Sequence, residues 1–203
     1  MPDNDIHVVF LGLGSNLGDK EKNIERAYRE IDKRIGRIIS KSAFYVSDPE
    51  GFESENRFVN SVCELVTILE AREVLRVTQA IEKELGRTKK SPDGGYADRT
   101  IDIDILMVDN RIVEEPGLII PHPRFHLRDF VLTPFAEISP DTVHPVFAKT
   151  ILQLKNELGN QYLCRTSKPY HSRRQLFFLF SHLFLLFIFN IICAAFSQIL
   201  RLT

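Results

Sequence analysis

Apolar and polar positions along the chain change period several times, and each change marks a predicted element. Residues 6–13 (IHVVFLGL) form an apolar run of strand length that closes on the glycine-containing loop Gly12-Leu13-Gly14-Ser15-Asn16-Leu17-Gly18. Ile24, Ala27, Tyr28, Ile31 and Ile35 then recur at helical spacing, with Asp19 as N-cap and Gly36 as the stop. Residues 37–47 have strand character, 48–56 (DPEGFESEN) read as a turn-rich loop, and 58–69 (FVNSVCELVTIL) resume a strand. A second helix carries Val74, Leu75, Val77, Ile81 and Leu85 on one face and ends at Gly86. Residues 88–98 (TKKSPDGGYAD) follow as a loop containing Pro92, Gly94 and Gly95.

That loop leads into Arg99-Thr100-Ile101-Asp102-Ile103-Asp104-Ile105, where two carboxylates alternate with three isoleucines. Alternation of this kind predicts a strand with its isoleucines in a core and Asp102 and Asp104 together on the other face. Their Cα atoms would lie about 6.6 Å apart, close enough for both carboxylates to converge on one or two hard cations. A half-buried strand with a solvated polar face is the plain alternative. The order βαββαβ predicts an α+β, ferredoxin-like core, with helices covering one face of a mostly antiparallel sheet. Beyond Val108 the pattern predicts a turn at Asp109-Asn110, a short hairpin, the rigid stretch Ile120-Pro121-His122-Pro123, and helical patches over 124–139 and 148–158.

Length and charge narrow this picture. With 203 residues the chain accommodates one catalytic domain, expected over 1–158, and an appendage. All 27 acidic residues fall within the first 157 positions against 21 of the 26 Lys and Arg, a net of −6, and the other five cations lie beyond. An acidic domain excludes a broad nucleic-acid surface, so any bound phosphate must be met by a local Arg/Lys cluster or by metal. Cys63, Cys164 and Cys193 show neither metal-ligand spacing nor a paired framework, which suits a reducing, cytoplasmic setting, and the N-terminus carries no signal-peptide pattern. Residues 159–175 read as a basic linker. Residues 176–203 form a hydrophobic tail, predicted helical, in which 176–196 carry seven of the fifteen Phe. As a helix, those 21 residues would span about 31 Å, enough for a membrane anchor; an accidental or packed extension is the alternative.

Several residues are candidates for chemistry. The glycine loop reads GxGxxxG, not the dinucleotide pattern, and no acid ends the next strand, so it is expected to shape a pocket floor without holding a cofactor. Arg87, Lys89 and Arg99 bracket the 88–98 loop and could meet a polyphosphate together with metal. His122, between two prolines, could donate to a phosphate. Phe58, Asn60 and Phe130 could form an aromatic slot with an amide in it, suited to a flat heterocycle.

With those residues in view, the chain from Val8 to Leu158 resembles the 6-hydroxymethyl-7,8-dihydropterin pyrophosphokinase family of folate biosynthesis. The resemblance is carried by Gly14-Ser15-Asn16-Leu17-Gly18, Ser42-Ala43-Phe44-Tyr45, Phe58-Val59-Asn60, Ile81-Glu82 with Leu85-Gly86-Arg87, the 99–105 strand, Pro121-His122-Pro123-Arg124-Phe125 and Arg128-Asp129-Phe130-Val131-Leu132. It implies transfer of pyrophosphate from ATP to the pterin hydroxymethyl group, with Asp102 and Asp104 as ligands of two Mg²⁺ ions. It further implies Arg87 and Arg99 as catalytic arginines and Glu82, Lys89, Ile105, His122 and Arg128 on the ATP side. Ser47, Asp48, Glu50, Phe58, Asn60, Asp102 and Phe130 would meet the pterin, in a domain expected to be monomeric. Three positions depart from the family pattern: Lys89 where many relatives have Arg, Asp48 where Pro is frequent, and Tyr96 where some have Trp. A two-metal nucleotidyltransferase and a tethered ferredoxin-like binding module are the competing readings. The first would be expected to carry nucleotide-recognition motifs in place of the Phe58, Asn60, Phe130 slot, and the second gives no reason for Asp102, Asp104, Arg87 and Arg99 to coexist.

Overall fold

The structure, a computed structural model, describes residues 5–51, 53–86, 98–159 and 164–165. In chain order the first elements are β1 (His7–Ser15), α1 (Lys20–Arg34), β2 (Arg37–Lys41), β3 (Tyr45–Ser47), β4 (Phe58–Thr67), α2 (Ala71–Glu84) and β5 (Asp102–Val108). They are followed by β6 (Val113–Glu115), β7 (Leu118–Ile120), α3 (Asp129–Ile138), β8 (Val143–His144), β9 (Lys149–Thr150), α4 (Ile151–Leu158) and β10 (Cys164–Arg165). β1 is central, flanked by β4 and β5, and β2 and β3 both pair with the far side of β4. All described pairings are antiparallel, the ferredoxin-like order expected.

Local chemistry explains most boundaries. Asp19 caps α1, its carboxylate accepting from Lys22 N at 3.2 Å. Gly86, at φ +107°, follows α2 in a conformation that glycine tolerates. Gly36 has a different cause from the one its position suggests. A Cβ there would lie 2.2 Å from the carbonyl oxygen of Val66, so the glycine permits close approach to β4 and is not a left-handed cap.

Three features depart from the sequence pattern. Residues 37–47 are two strands, because Ser42 turns inward between them: its Oγ lies 2.9 Å from Ser61 Oγ and accepts from Val62 N at 3.0 Å. No Gly or Pro marks that break. Secondly, helices cover both faces of the sheet. Ile24, Ala27, Ile31, Val74 and Ile81 of α1 and α2 pack on Val9, Leu11, Leu65, Ile101, Ile103 and Ile105. On the opposite face Phe10, Val62, Leu106 and Met107 lie against Phe125, Val131, Leu132, Phe135, Ile151 and Leu154 from the chain after β5. Thirdly, β5 carries a bulge: Phe10 pairs with Met107 and Leu11 with Ile105, leaving Leu106 as the extra residue. The carbonyl of Leu106 accepts from His122 N at 2.9 Å, which ties the Pro-His-Pro turn to the bulge.

The helix expected over 124–139 begins instead with a 3-10 turn at Phe125–Leu127, and the one expected from 148 begins at Ile151, after a Thr150/Gln153 capping box. Within the segment read as a linker, β10 adds to the edge of β3. The hydrophobic segment 176–196 and its expected anchoring role lie outside the described residues. Among those described, no helix is long and apolar enough to cross a membrane.

Gly36→Ala tests the packing argument. The variant is expected to lose about 1–3 kcal/mol of stability in urea denaturation, because β4 cannot yield about 0.8 Å or more without disturbing its pairing. An unchanged midpoint would contradict it.

Candidate active site

The uncovered part of the second sheet face is a cleft holding about 670 Å³ of empty space, counting its solvent-open mouth. Three strands make its floor in two rows. Asp102, Gly14 and Asn60 lie side by side across β5, β1 and β4, and Asp104, Gly12 and Val62 form the next row. The middle strand contributes bare backbone. A Cβ on Gly14 would come 3.3 Å from Asn60 Oδ1 and 3.6 Å from the Phe58 ring, and one on Gly12 would come 3.2 Å from Leu106. Both glycines therefore keep open the space between the carboxylates and the amide, as expected of a loop that shapes a floor.

On the β4 side, Asn60 is buried and donates from Nδ2 to Ser47 Oγ at 2.9 Å and to the Tyr45 carbonyl at 3.4 Å. Those bonds fix the amide with its oxygen toward Gly14. Phe58, Phe130 and the apolar Leu106 and Val131 line the same space. Ser47, Asp48 and Glu50 border it, and Arg128 approaches Glu50 at 3.6 Å with its guanidinium 5.6 Å from the Phe130 ring centroid. Asp48 is paired with Arg57 at 2.8 Å, an exposed ion pair within the loop.

On the β5 side, Arg99 pairs with Asp102 at 2.6 Å, and both residues and Asp104 line the cleft. The backbone of Arg99 is held by Asn16, which is fully buried: Arg99 N donates to Asn16 Oδ1 at 2.7 Å, and Asn16 N donates to the Arg99 carbonyl at 3.1 Å. The Gly12 to Gly18 motif contained this residue, but its link across 83 positions has no local signal. Ser61 and Val62 also line the cleft and were not anticipated.

His122 is half-buried. Its Nδ1 accepts from Arg124 N at 3.2 Å, so the neutral ring carries its proton on Nε2 and can donate. Burial, followed by the nearby positive charges of Arg128 and Arg124, lowers its pKa to about 4 against an opposing pull from Asp102. Three expected site residues among those described are not in the cleft lining: His122, Glu82 and Ile105. Glu82 is buried on α2, where its carboxylate accepts from Ile103 N at 2.7 Å on the open edge of β5, and Ile105 is in the core beneath the sheet. Arg87 and Lys89 lie outside the described residues, as does Tyr96.

A ferredoxin-like sheet that sets paired acids and an arginine opposite an aromatic slot with an amide has the layout of a group-transfer enzyme. Residues 10–140 match the family model of 7,8-dihydro-6-hydroxymethylpterin-pyrophosphokinase (HPPK), and the chain belongs to that family. It is an enzyme of that kind, a diphosphokinase of folate biosynthesis. A 2-amino-4-hydroxy-6-hydroxymethyldihydropteridine pyrophosphokinase of Porphyromonas gingivalis is 45% identical over 139 residues, covering 68% of this chain and 94% of the relative. Proteins of the same name from Bacillus subtilis and Aquifex aeolicus are 40% and 36% identical over 65% and 73% of this chain, covering 78% and 91% of their own lengths. Among solved structures, wild-type Plasmodium falciparum HPPK-DHPS with STZ-DHP superposes with a TM-score of 0.62 at 16% identity, over 77% of this chain. That similarity speaks for the fold, and this chain spans 44% of the solved one.

The histidines yield a pH prediction. His144, buried between Phe125 and Phe147, is also lowered to about 4 by burial and then by His126. Both folded pKa values lie below the unfolded value of about 6.5, so the native state binds fewer protons between about pH 4 and 6.5. Their stabilising contribution is complete above about pH 6.5 and is lost as pH falls toward about 4. NMR titration should place both imidazoles near 4, and His144→Gln should flatten the fall in urea midpoint from about pH 7 to 5. Midpoints near the ordinary value of about 6.5 for the two rings would contradict the burial argument.

Proposed function

We propose that this protein transfers pyrophosphate from ATP to the hydroxymethyl group of 6-hydroxymethyl-7,8-dihydropterin, releasing AMP. The observation that carries the reading is the row Asp102, Gly14, Asn60, which sets a carboxylate and an amide about two strand spacings apart across bare backbone. A flat heterocycle fits between Phe58 and Phe130, with its polar edge on Asn60 and the Ser47 to Glu50 segment. Its hydroxymethyl group then points toward β5. On that side Arg99 and the Nε2 proton of His122 offer positive or donating groups to phosphate oxygens, and Arg128, beside Glu50 and Phe130, adds a guanidinium from the other side of the cleft. From the resemblance, Arg87 and Lys89 would add to them.

Asp102 and Asp104 supply hard oxygen donors, both half-exposed on one face, which is the donor chemistry that Mg²⁺ takes. We assign them as the ligands of two Mg²⁺ ions, which when bound would neutralise the phosphate oxygens. This chain's own residues hold the pterin oxygen and the phosphate chain in line and keep the donors aimed before substrate arrives, so positioning and electrostatics supply the catalysis. No protein nucleophile is required.

Two measurements test this. AMP should form from ATP only when hydroxymethyl-dihydropterin and Mg²⁺ are both present. Asp104→Ala should leave pterin binding by calorimetry within a few-fold of the wild type while turnover falls on the order of 10²- to 10³-fold. Pterin-independent AMP release would contradict the substrate assignment, and near-normal turnover by Asp104→Ala at saturating Mg²⁺ would contradict the metal assignment.

A further inference from the structure

Asp98 stands immediately before Arg99, outside the cleft lining, yet three segments of chain meet on its carboxylate. Oδ1 accepts from Asn16 Nδ2 at 2.6 Å and from Ser54 Oγ at 2.7 Å, and Oδ2 accepts from Asn56 Nδ2 at 2.7 Å. Asn16 belongs to the loop after β1, Ser54 and Asn56 to the loop between β3 and β4, and Asp98 to the entry of β5. Each segment feeds the cleft: the first continues from Gly12 and Gly14, the second from Asp48 and Glu50, and the third into Arg99 and Asp102. Bonds from the Ser54 hydroxyl, and then from Asn56 and Asn16, lower the pKa of Asp98 against partial desolvation, which keeps it anionic.

Asn16 uses both ends of its amide. Nδ2 donates to Asp98 at 2.6 Å and more weakly to the Asn56 carbonyl at 3.4 Å, and Oδ1 accepts from Arg99 N at 2.7 Å, so a shift of the carboxylate reaches Arg99 through one buried side chain. Because Asp98 is exposed, these bonds add little to global stability. Their consequence is geometric. Ser54 Oγ also accepts from Asn56 N at 3.0 Å, which closes the loop end as a unit around the carboxylate.

We propose that Asp98 is a positioning residue: it ties the loop on the heterocycle side of the cleft to Arg99 on the phosphate side, so that both halves keep one register. Its kinetic consequence rests on the pyrophosphate-transfer reading; its structural consequence does not. Removing the carboxylate leaves the long 3.4 Å bond from Asn16 Nδ2 to the Asn56 carbonyl as the remaining tie through Asn16, which loosens the 48–56 loop relative to Arg99.

The test uses Asp98→Ala, Asn56→Asp and the exchange pair Asp98→Asn with Asn56→Asp in the full chain. In the exchange pair, the amide oxygen introduced at position 98 still accepts from Asn16 and Ser54, while its NH₂ donates to the carboxylate introduced at position 56, at unchanged net charge. Asp98→Ala is expected to lower kcat on the order of 10-fold and raise the pterin KM several-fold. Asn56→Asp alone, with two carboxylates facing, should do at least as much, and the exchange pair should recover most of both parameters. Amide hydrogen exchange at Arg99 and Asn56 should quicken in Asp98→Ala and slow again in the exchange pair, and this readout needs no activity. If the wild type forms no pterin-dependent AMP, the function reading fails and exchange alone decides. Unchanged exchange at those amides, or losses that track thermal stability without recovery in the pair, would overturn the proposal.

Discussion

The cleft depends on one alternation. Along β5, Ile103 and Ile105 are buried beneath the sheet, as is Ile101 just before it, and this burial holds Asp102 and Asp104 on the opposite face. A slip of one residue would exchange the two sets, so the core itself enforces the aim of the carboxylates. β1 fixes the register from one side through the pairs Gly14 with Asp102 and Gly12 with Asp104. On the other side Glu82 covers the open edge by accepting from Ile103 N. The alternation then stops at Leu106, where the bulge puts two successive side chains into the second core and frees a carbonyl for the His122 turn. The bulge thereby marks the boundary between cleft and packed face.

Strong periodicity made β1, α1, β4, α2 and the aspartate strand readable, since each couples a repeating apolar face to an end signal such as Asp19 or Gly86. Phe58, Asn60 and Phe130 were readable as a candidate aromatic slot with an amide, but a Phe on a strand is most often core, and naming a pterin as its occupant rested on the family resemblance. What sequence could not convey depends on long-range contact. The break at Ser42 comes from a hydroxyl meeting Val62, the bulge at Leu106 from the partner strand, and the need for Gly36 from the carbonyl of Val66. The second helical layer was readable as two patches, but the face it covers was not. Glu82 is placed near the nucleotide by resemblance alone, and its carboxylate accepts from a backbone amide 21 positions away, a contact with no local signal.

The glycine loop after β1 acquires two tasks from this geometry. Gly12 and Gly14 leave the floor bare, and Asn16, two residues on, reaches Arg99 and Asp98. The same short segment thus clears the space between Asn60 and the carboxylates and braces the arginine beside them. The three bonds on Asp98 reach the loop that borders the Phe58 and Asn60 side of the cleft.

Whether the shared face of Asp102 and Asp104 is the proposed metal platform for the transferred phosphates is decided by manganese titration followed by electron paramagnetic resonance, with a non-hydrolysable ATP analogue present. Two bound ions per wild-type chain are expected, and loss of at least one in both Asp102→Asn and Asp104→Asn, with folding intact by circular dichroism. Two ions bound with wild-type affinity in either variant would contradict it.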